Sequence, residues 1–418
     1  MANNNDFSTV KGRATIISKM ATGLLRDNLQ FIKSVDKEPE SSFGNYNGYK
    51  SGDTININNY SVFPTQSDSL DITSTDSEAR ETVTALALNK TETIPVLASS
   101  LDFSTNISRE DFIVNSARVI EPAMVSLASK VESRVLALAA DATYNTVGTA
   151  GSTVFNTATT LLAKDALSQE LAPMGDRKIL LNSTSMSSAI NARTAYFNPN
   201  SEISKQYKTG YMGTADGFDW MENELLPTHT NGNDVSFEVS TTVSVEGSTS
   251  LVVEGLTTTT GTVTKGTTFT IATVNAVHPQ TKEDTGRLQK FVVTADATAN
   301  GSGVATLSIS PAIYTSASAG LQNVTAFPAD GDACTVLTGA ASTGYIQNLA
   351  YHPSAFRFIS AKMYQPKSAE MVGVSTQDGI TVNMVSDYDN NTRSETIRFD
   401  VLFGFAAVRP QWSVRLTA

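Results

Sequence analysis

Leu251-Val-Val-Glu-Gly-Leu-Thr-Thr-Thr-Thr-Gly261 is followed by Phe269-Thr-Ile-Ala-Thr-Val274, Phe291-Val-Val293 and Val304-Ala-Thr-Leu-Ser-Ile309. Apolar positions alternate with threonine and break at glycine, the period-two pattern of short strands separated by turns. Threonine makes up about one-fifth of residues 228–343, and its branched Cβ suits a pleated surface. Strands are predicted at Val235 to Val239, Leu251 to Val253, Phe269 to Val274, Phe291 to Val293, Val304 to Ile309 and Cys334 to Leu337. Short strands at this spacing predict a small barrel or sandwich.

Outward from this stretch the pattern changes. Thr157 to Glu170 and Ser185 to Tyr196 read as helices around a strand from Arg177 to Ser183. Beyond residue 343 long strands return and end in Arg398-Phe-Asp-Val-Leu-Phe-Gly-Phe-Ala-Ala-Val-Arg409-Pro410. The chain therefore reads as a mixed α+β domain split by an all-β insertion over 228–343. That layout suits a structural, assembling protein better than an enzyme.

Nearer the N-terminus, Val10, Ala14, Ile17, Ala21 and Leu24 predict one amphipathic helix from Ser8 to about Leu29. It would dock either on its own domain or, as an arm, on a neighbouring copy. Residues 38–95 are polar and extended, with turn signals at Gly44-Asn-Tyr-Asn-Gly48 and Ser51-Gly52-Asp53. Strands are expected at Thr54 to Ile57 and Glu81 to Leu88. So few large apolar residues cannot bury so long a stretch, which would be a solvated loop or an arm lying on another copy.

A longer helix begins at the capping-box sequence Ser108-Arg-Glu-Asp111. Ile113, Ala117, Ile120, Met124, Leu127, Val131, Val135 and Leu138 form its single apolar stripe, as expected of a spine lying across a sheet. Pro122 lacks a backbone donor and predicts a kink or a restart there.

The 418 residues carry a formal net charge of −11. Lys and Arg are scattered, so no face reads as a phosphate-binding footprint and sequence-specific DNA binding is not expected. No apolar run reaches the ~18 residues of a membrane span, and the N-terminus lacks the blocks of a signal peptide. Cys334 is the one cysteine; it reads as a small buried hydrophobe in a protein made in a reducing cytoplasm.

Chemistry-bearing motifs are scarce. His229, His278 and His352 lie far apart and lack ligand-type partners at metal spacing. Tyr388-Asp389-Asn390-Asn391 lacks the spacing of a calcium loop and reads as a polar turn. Gly301-Ser-Gly303 reads as a hairpin turn and not a phosphate cradle, and no nucleophile elbow occurs. Ser34-Val-Asp-Lys37 matches SxxK without companion motifs. No catalytic, cofactor-binding or metal residues are therefore assigned, and neither enzyme activity nor a cofactor is expected.

The flanks of the insertion carry a resemblance. Ser168-Gln-Glu-Leu171, Met174-Gly175, Leu181-Asn182, Asp216-Gly-Phe-Asp219 and Leu226-Pro227 lie before it. Asn348-Leu-Ala-Tyr-His352, Ser354-Ala-Phe356 and Gly404-Phe-Ala-Ala-Val-Arg409-Pro410 lie after it. Within it stand Lys265-Gly266-Thr-Thr-Phe-Thr-Ile271, Ala276-Val-His-Pro279 and Phe291-Val-Val293. In order and spacing these resemble the major capsid (coat) proteins of tailed double-stranded DNA phages related to phage P22.

The resemblance implies the Hong Kong 97 type capsid fold, with an N-arm at 1–37, an E-loop region at 38–95 and a P-domain with its spine helix at 96–150. The A-domain would occupy 151–227, the inserted barrel 228–343, and the remaining A-domain with the return to the P-domain 344–418. It further implies hexamers and pentamers closing into an icosahedral shell around double-stranded DNA, with scaffolding and portal proteins as partners and no membrane. The procapsid would assemble in the host cytoplasm and expand on packaging. Family members carry a charged contact loop in the insertion, but residues 240–250 hold only Glu246, so no contact residue is transferred. The β-rich insertion also leaves open a tail or receptor-binding surface protein. An early-folding barrel would hold the two A-domain halves together.

Overall fold

The alternation that marks the insertion closes a barrel. The computed structural model describes residues 10–38, 54–59, 82–99, 120–152, 155–192, 213–391 and 394–417. The Ser108 capping box, the helix before Ile120 and the turn signals at 44–53 lie outside the described residues. Two compact units emerge: 1–57, 85–135 and 356–406 form one, and 58–84, 136–355 and 407–418 the other.

In the first unit, strands Asp36–Lys37, Phe356–Ala361, Ser394–Ala407, Ile380–Asp389 and Met371–Gln377 lie side by side in that order, and Lys90–Ser99 also pairs with Ser394–Ala407. Helix α1 (Val10–Asn28) docks on its own unit against Met371–Gln377 and Ile380–Asp389. Its buried face is Ala14, Ile17, Ser18, Ala21, Thr22 and Leu25. Leu25 replaces the expected Leu24, because a 3.6-residue turn brings i+4 from Ala21 to the inside. The short α2 (Phe31–Ser34) buries Phe31 against Phe356 and Phe405. Its start is capped by a buried carboxylate: Glu132 accepts the backbone N–H groups of Gln30 at 2.8 Å and Phe31 at 2.9 Å.

Glu132 belongs to α3 (Ile120–Ala142). Ile120, Met124, Leu127, Val131 and Val135 are buried as the stripe predicts. Towards the end the buried positions become Leu136, Ala139 and Ala140, while Leu138 is only half-buried. A 3.6-residue period drifts around the axis relative to a straight seven-residue repeat, which moves the contact line off Leu138. Pro122 is exposed in the first described turn.

The second unit holds a six-stranded sheet in the order Thr146–Gly148, Ser413–Thr417, Asn348–Tyr351, Lys178–Leu181, Phe218–Glu222, Thr214–Ala215. Helices α4 (Thr157–Gln169) and α5 (Ser183–Ala192) pack on one face of it. Ala163, Leu167, Met186 and Ala189 meet Ile179, Leu181, Ala350, Val414 and Leu416 there.

The barrel is closed by Ser236–Val239, Ser248–Glu254, Ala305–Ile313, Asp284–Val293, Thr268–Val277 and Ala333–Val336. Each of the six expected strands is one of these. Phe237, Leu251, Val253, Phe269, Ile271, Phe291, Val293, Leu307 and Ile309 alternate inward and fill it. Phe269 stands 5.7 Å from Phe237 and 5.9 Å from Phe291, ring centre to ring centre. The chain enters and leaves through an antiparallel stem that pairs Thr228–Thr230 with Gly344–Ile346.

Candidate functional site

Where the barrel meets the edge strand Thr146–Gly148 and the end of α3, three polar contacts stand out. Thr146 and Thr268 share a hydroxyl hydrogen bond of 2.8 Å, and Lys290 Nζ donates to the Thr146 carbonyl at 2.8 Å. Lys265 Nζ stands 2.9 Å from Asp141 Oδ2 near the end of α3. The next residue, Gly266, has φ +88°, and a Cβ there would lie 2.9 Å from Asp141 Oδ1 and 3.1 Å from His229 Nδ1. The left-handed conformation favours glycine, and a Cβ would also push on the two side chains.

His229 sits in the stem, almost fully buried, with Nε2 3.1 Å from Asn231 Oδ1. Burial, reinforced by the Arg415 charge, pushes its pKa down to about 4, so the ring is neutral at physiological pH. Arg415 is fully buried, and none of its guanidinium nitrogens has a hydrogen-bond partner among the described residues. Burial pulls its pKa down to about 10 against the opposing pull of Asp141, which leaves it charged.

Beside this contact runs a groove of about 210 Å³, lined by Leu162 and Asp165 from α4, by Glu170 just after it, and by Val277, Arg287 and Lys290 from the barrel. Burial pushes the Glu170 carboxyl up to about 7, although Arg287 and Lys290 pull it down. The same burial lowers Lys290.

The other residues weighed from sequence do structural work. Cys334 is buried in the barrel core, and burial pushes its thiol up to about 12, which makes it a poor nucleophile. His278 Nδ1 accepts the backbone N–H of Thr281 at 3.1 Å in a turn, and His352 pairs with Ser354 Oγ at 2.6 Å and packs on Trp412. Ser34 Oγ donates within α2 to Phe31, while Lys37 lies in the following strand. Asn391 N–H bonds Asp389 Oδ1 at 2.8 Å, as a polar turn does. Glu246, partly exposed just before strand Ser248–Glu254, accepts the Thr315 backbone N–H at 2.8 Å and the Thr315 hydroxyl. Among the described residues, no group of His, Cys, Asp and Glu could hold a metal ion, and no helix is long and apolar enough to cross a membrane.

Sequence reasoning missed Arg415, Asp141 and Lys290 because their importance lies in what covers them. The motif residues it did single out serve the contact with the barrel: Lys265 and Gly266 build it, and the Glu170 carbonyl accepts Trp412 Nε1 at 3.1 Å.

Residues 101–417 match the family model described as P22 coat protein, gene protein 5. The chain belongs to the P22 coat protein family. It is a structural coat protein of tailed phages, and the capsid shell is its place. No curated protein matches it. Among solved structures it is similar to one from Mycobacterium phage Che8, at 13% identity over 93% of this chain and 90% of that one, with a TM-score of 0.46. The mature capsid of bacteriophage PhiM1 is similar at 10% identity over 93% and 86%, with a TM-score of 0.43. The CUS-3 coat protein I-domain aligns at 27% identity over 25% of this chain and 96% of its own, with a TM-score of 0.19. Membership rests on the family match and not on these weak likenesses.

Proposed function

We propose that this coat protein closes, as hexamers and pentamers, into an icosahedral shell around double-stranded DNA, through a scaffold-assisted procapsid that expands on packaging. The family match over 101–417 carries the reading. Assembly takes place in the host cytoplasm, a portal protein occupies one vertex, and no catalysis is involved. The protein does not read DNA sequence; a net charge of −11 suits a wall that does not adhere to the polyanion inside. Residues 1–37 serve as the N-arm, 38–95 as the E-loop region, 96–150 as the P-domain with its spine, and 151–227 with 344–418 as the A-domain and return. Exposed Leu161 and Leu162 on α4 and Met174 beyond it give a second copy apolar surface to cover.

Co-expression with the neighbouring viral genes tests the pathway. Shells that hold a second abundant protein, and larger DNA-filled particles that lack it, are expected; a single particle size containing coat protein alone contradicts it. The barrel at 228–343 also serves folding, so its deletion with a short bridge lowers soluble yield and refolding; an unchanged yield refutes that role.

A further inference from the structure

Glycine follows asparagine at Asn47-Gly48, Asn231-Gly232 and Asn300-Gly301. Such a pair carries its own chemistry: with no Cβ on the second residue, the backbone nitrogen reaches the neighbouring side-chain carbonyl carbon at little steric cost. The first pair lies outside the described residues. The other two stand in the second unit, in opposite surroundings.

Asn231 is 3% exposed, its Nδ2 donates to the Ala340 carbonyl at 3.1 Å, and its Oδ1 stands 3.1 Å from His229 Nε2. A Cβ on Gly232 would lie 1.9 Å from the Thr262 carbonyl oxygen. The backbone there is pressed against its neighbour and has no room to turn toward the side chain.

Asn300 and Gly301 are both exposed, in the hairpin that leads into strand Ala305–Ile313. Nothing lies within 4 Å of a Cβ built on Gly301. Asn300 Oδ1 accepts the backbone N–H groups of Ser302 at 2.8 Å and Val304 at 3.1 Å. Attack on Cγ would put negative charge on that same oxygen, and paired backbone donors at such distances are what stabilises an oxyanion. The fold thus leaves one asparagine open and polarised and holds the other still.

The geometry points to Asn300 as a self-modification site. The Gly301 nitrogen bonds to Asn300 Cγ, the Cγ–Nδ2 bond breaks, and the proton of the attacking nitrogen leaves with the amide group as ammonia. Water then opens the cyclic imide. Addition at Cγ gives aspartate; addition at the main-chain carbonyl gives isoaspartate, in which the chain runs on through the former side chain. Water is the sole co-reactant, and nothing is oxidised or reduced. Aspartate keeps both N–H bonds in charge-assisted form and adds a negative charge to the hairpin. Isoaspartate turns the Asn300 carbonyl, which accepts the N–H groups of Thr259 at 3.0 Å and Gly303 at 3.1 Å, into a free carboxylate. The hairpin therefore records the age of the subunit irreversibly.

Peptide mapping by mass spectrometry tests this on the unassembled full-length subunit, aged at neutral and at mildly alkaline pH. Asn300 is expected to gain the mass of an acid, with isoaspartate among the products, at least about tenfold faster than Asn231, a barrier difference of about 1.4 kcal/mol or more. Conversion should be faster at the alkaline pH, because the attacking nitrogen must lose its proton. In Gly301→Ala the added Cβ meets open space, so the fold is kept, while a shielded nitrogen slows conversion by about tenfold or more. Equal conversion of the two asparagines, an unreacted Asn300, or an unchanged rate in Gly301→Ala would overturn the proposal.

Discussion

Lys265 Nζ lies 2.9 Å from Asp141 Oδ2, and the glycine that follows packs against the same carboxylate. The two neighbours differ greatly in what they contribute. The ion pair is partly exposed, with side-chain exposures of 42% and 31%, and such pairs contribute about 0–1 kcal/mol. A Cβ at Gly266 would crowd the side chains of Asp141 and His229, and the residue holds a left-handed φ, so a side chain there costs backbone strain of about 1–3 kcal/mol plus a small shift of those two side chains. Lys265→Met is therefore expected to leave the urea midpoint nearly unchanged, and Gly266→Ala to lower it clearly. Equal effects would show that the charge matters and the close approach does not.

The pH dependence of stability has two opposing parts. His229 falls from 6.5 unfolded to about 4 folded, so its contribution is present above pH 6.5 and is lost as pH drops toward 4. Glu170 rises from 4.5 to about 7, so its contribution is full below 4.5 and is lost as pH climbs to 7. Each shift corresponds to a few kcal/mol, on the order of 3. Between pH 4.5 and 6.5 the two slopes oppose. Glu170→Gln should unmask stability that increases with pH up to 6.5 and then levels, while His229→Asn should leave stability that decreases from pH 4.5 to 7. Denaturation curves across that range check both; parallel curves for the two variants would refute the assignment.

The exposed apolar side chains should matter to assembly more than to folding. Leu161 is 48% exposed and Met174 81%, so charging them removes little from the core. Leu161→Glu and Met174→Glu are expected to leave the melting temperature within a few degrees of the parent and to reduce the fraction of protein in sedimenting shells. Unaltered shell yield would place the inter-copy contact elsewhere.

Much of this architecture was legible in residue periodicity. The six barrel strands, α1 and α4 follow from alternation and helical spacing, because most of them bury one face in their own core, and the strand at Lys178–Leu181 reads as a short apolar run because it is buried on both faces. The hairpin at Asp378-Gly379, both with positive φ and joining Gln377 directly to Ile380, carried a readable Asp-Gly signal that went unused. Arg415 was different. Ser413-Val-Arg-Leu-Thr417 shows by alternation which side faces α4 and α5, but Arg415 looks solvated until Asp141 and His229, both distant in sequence, are seen near it and it proves fully buried. The same holds for Glu132, whose role depends on α2 arriving a hundred residues earlier in the chain.

Negative-stain electron microscopy of the purified full-length protein, expressed alone and together with its neighbouring viral genes, tests the central claim most directly. Closed shells, or curved sheets of hexamers and pentamers, are the predicted result; uniform small particles in both preparations would contradict it.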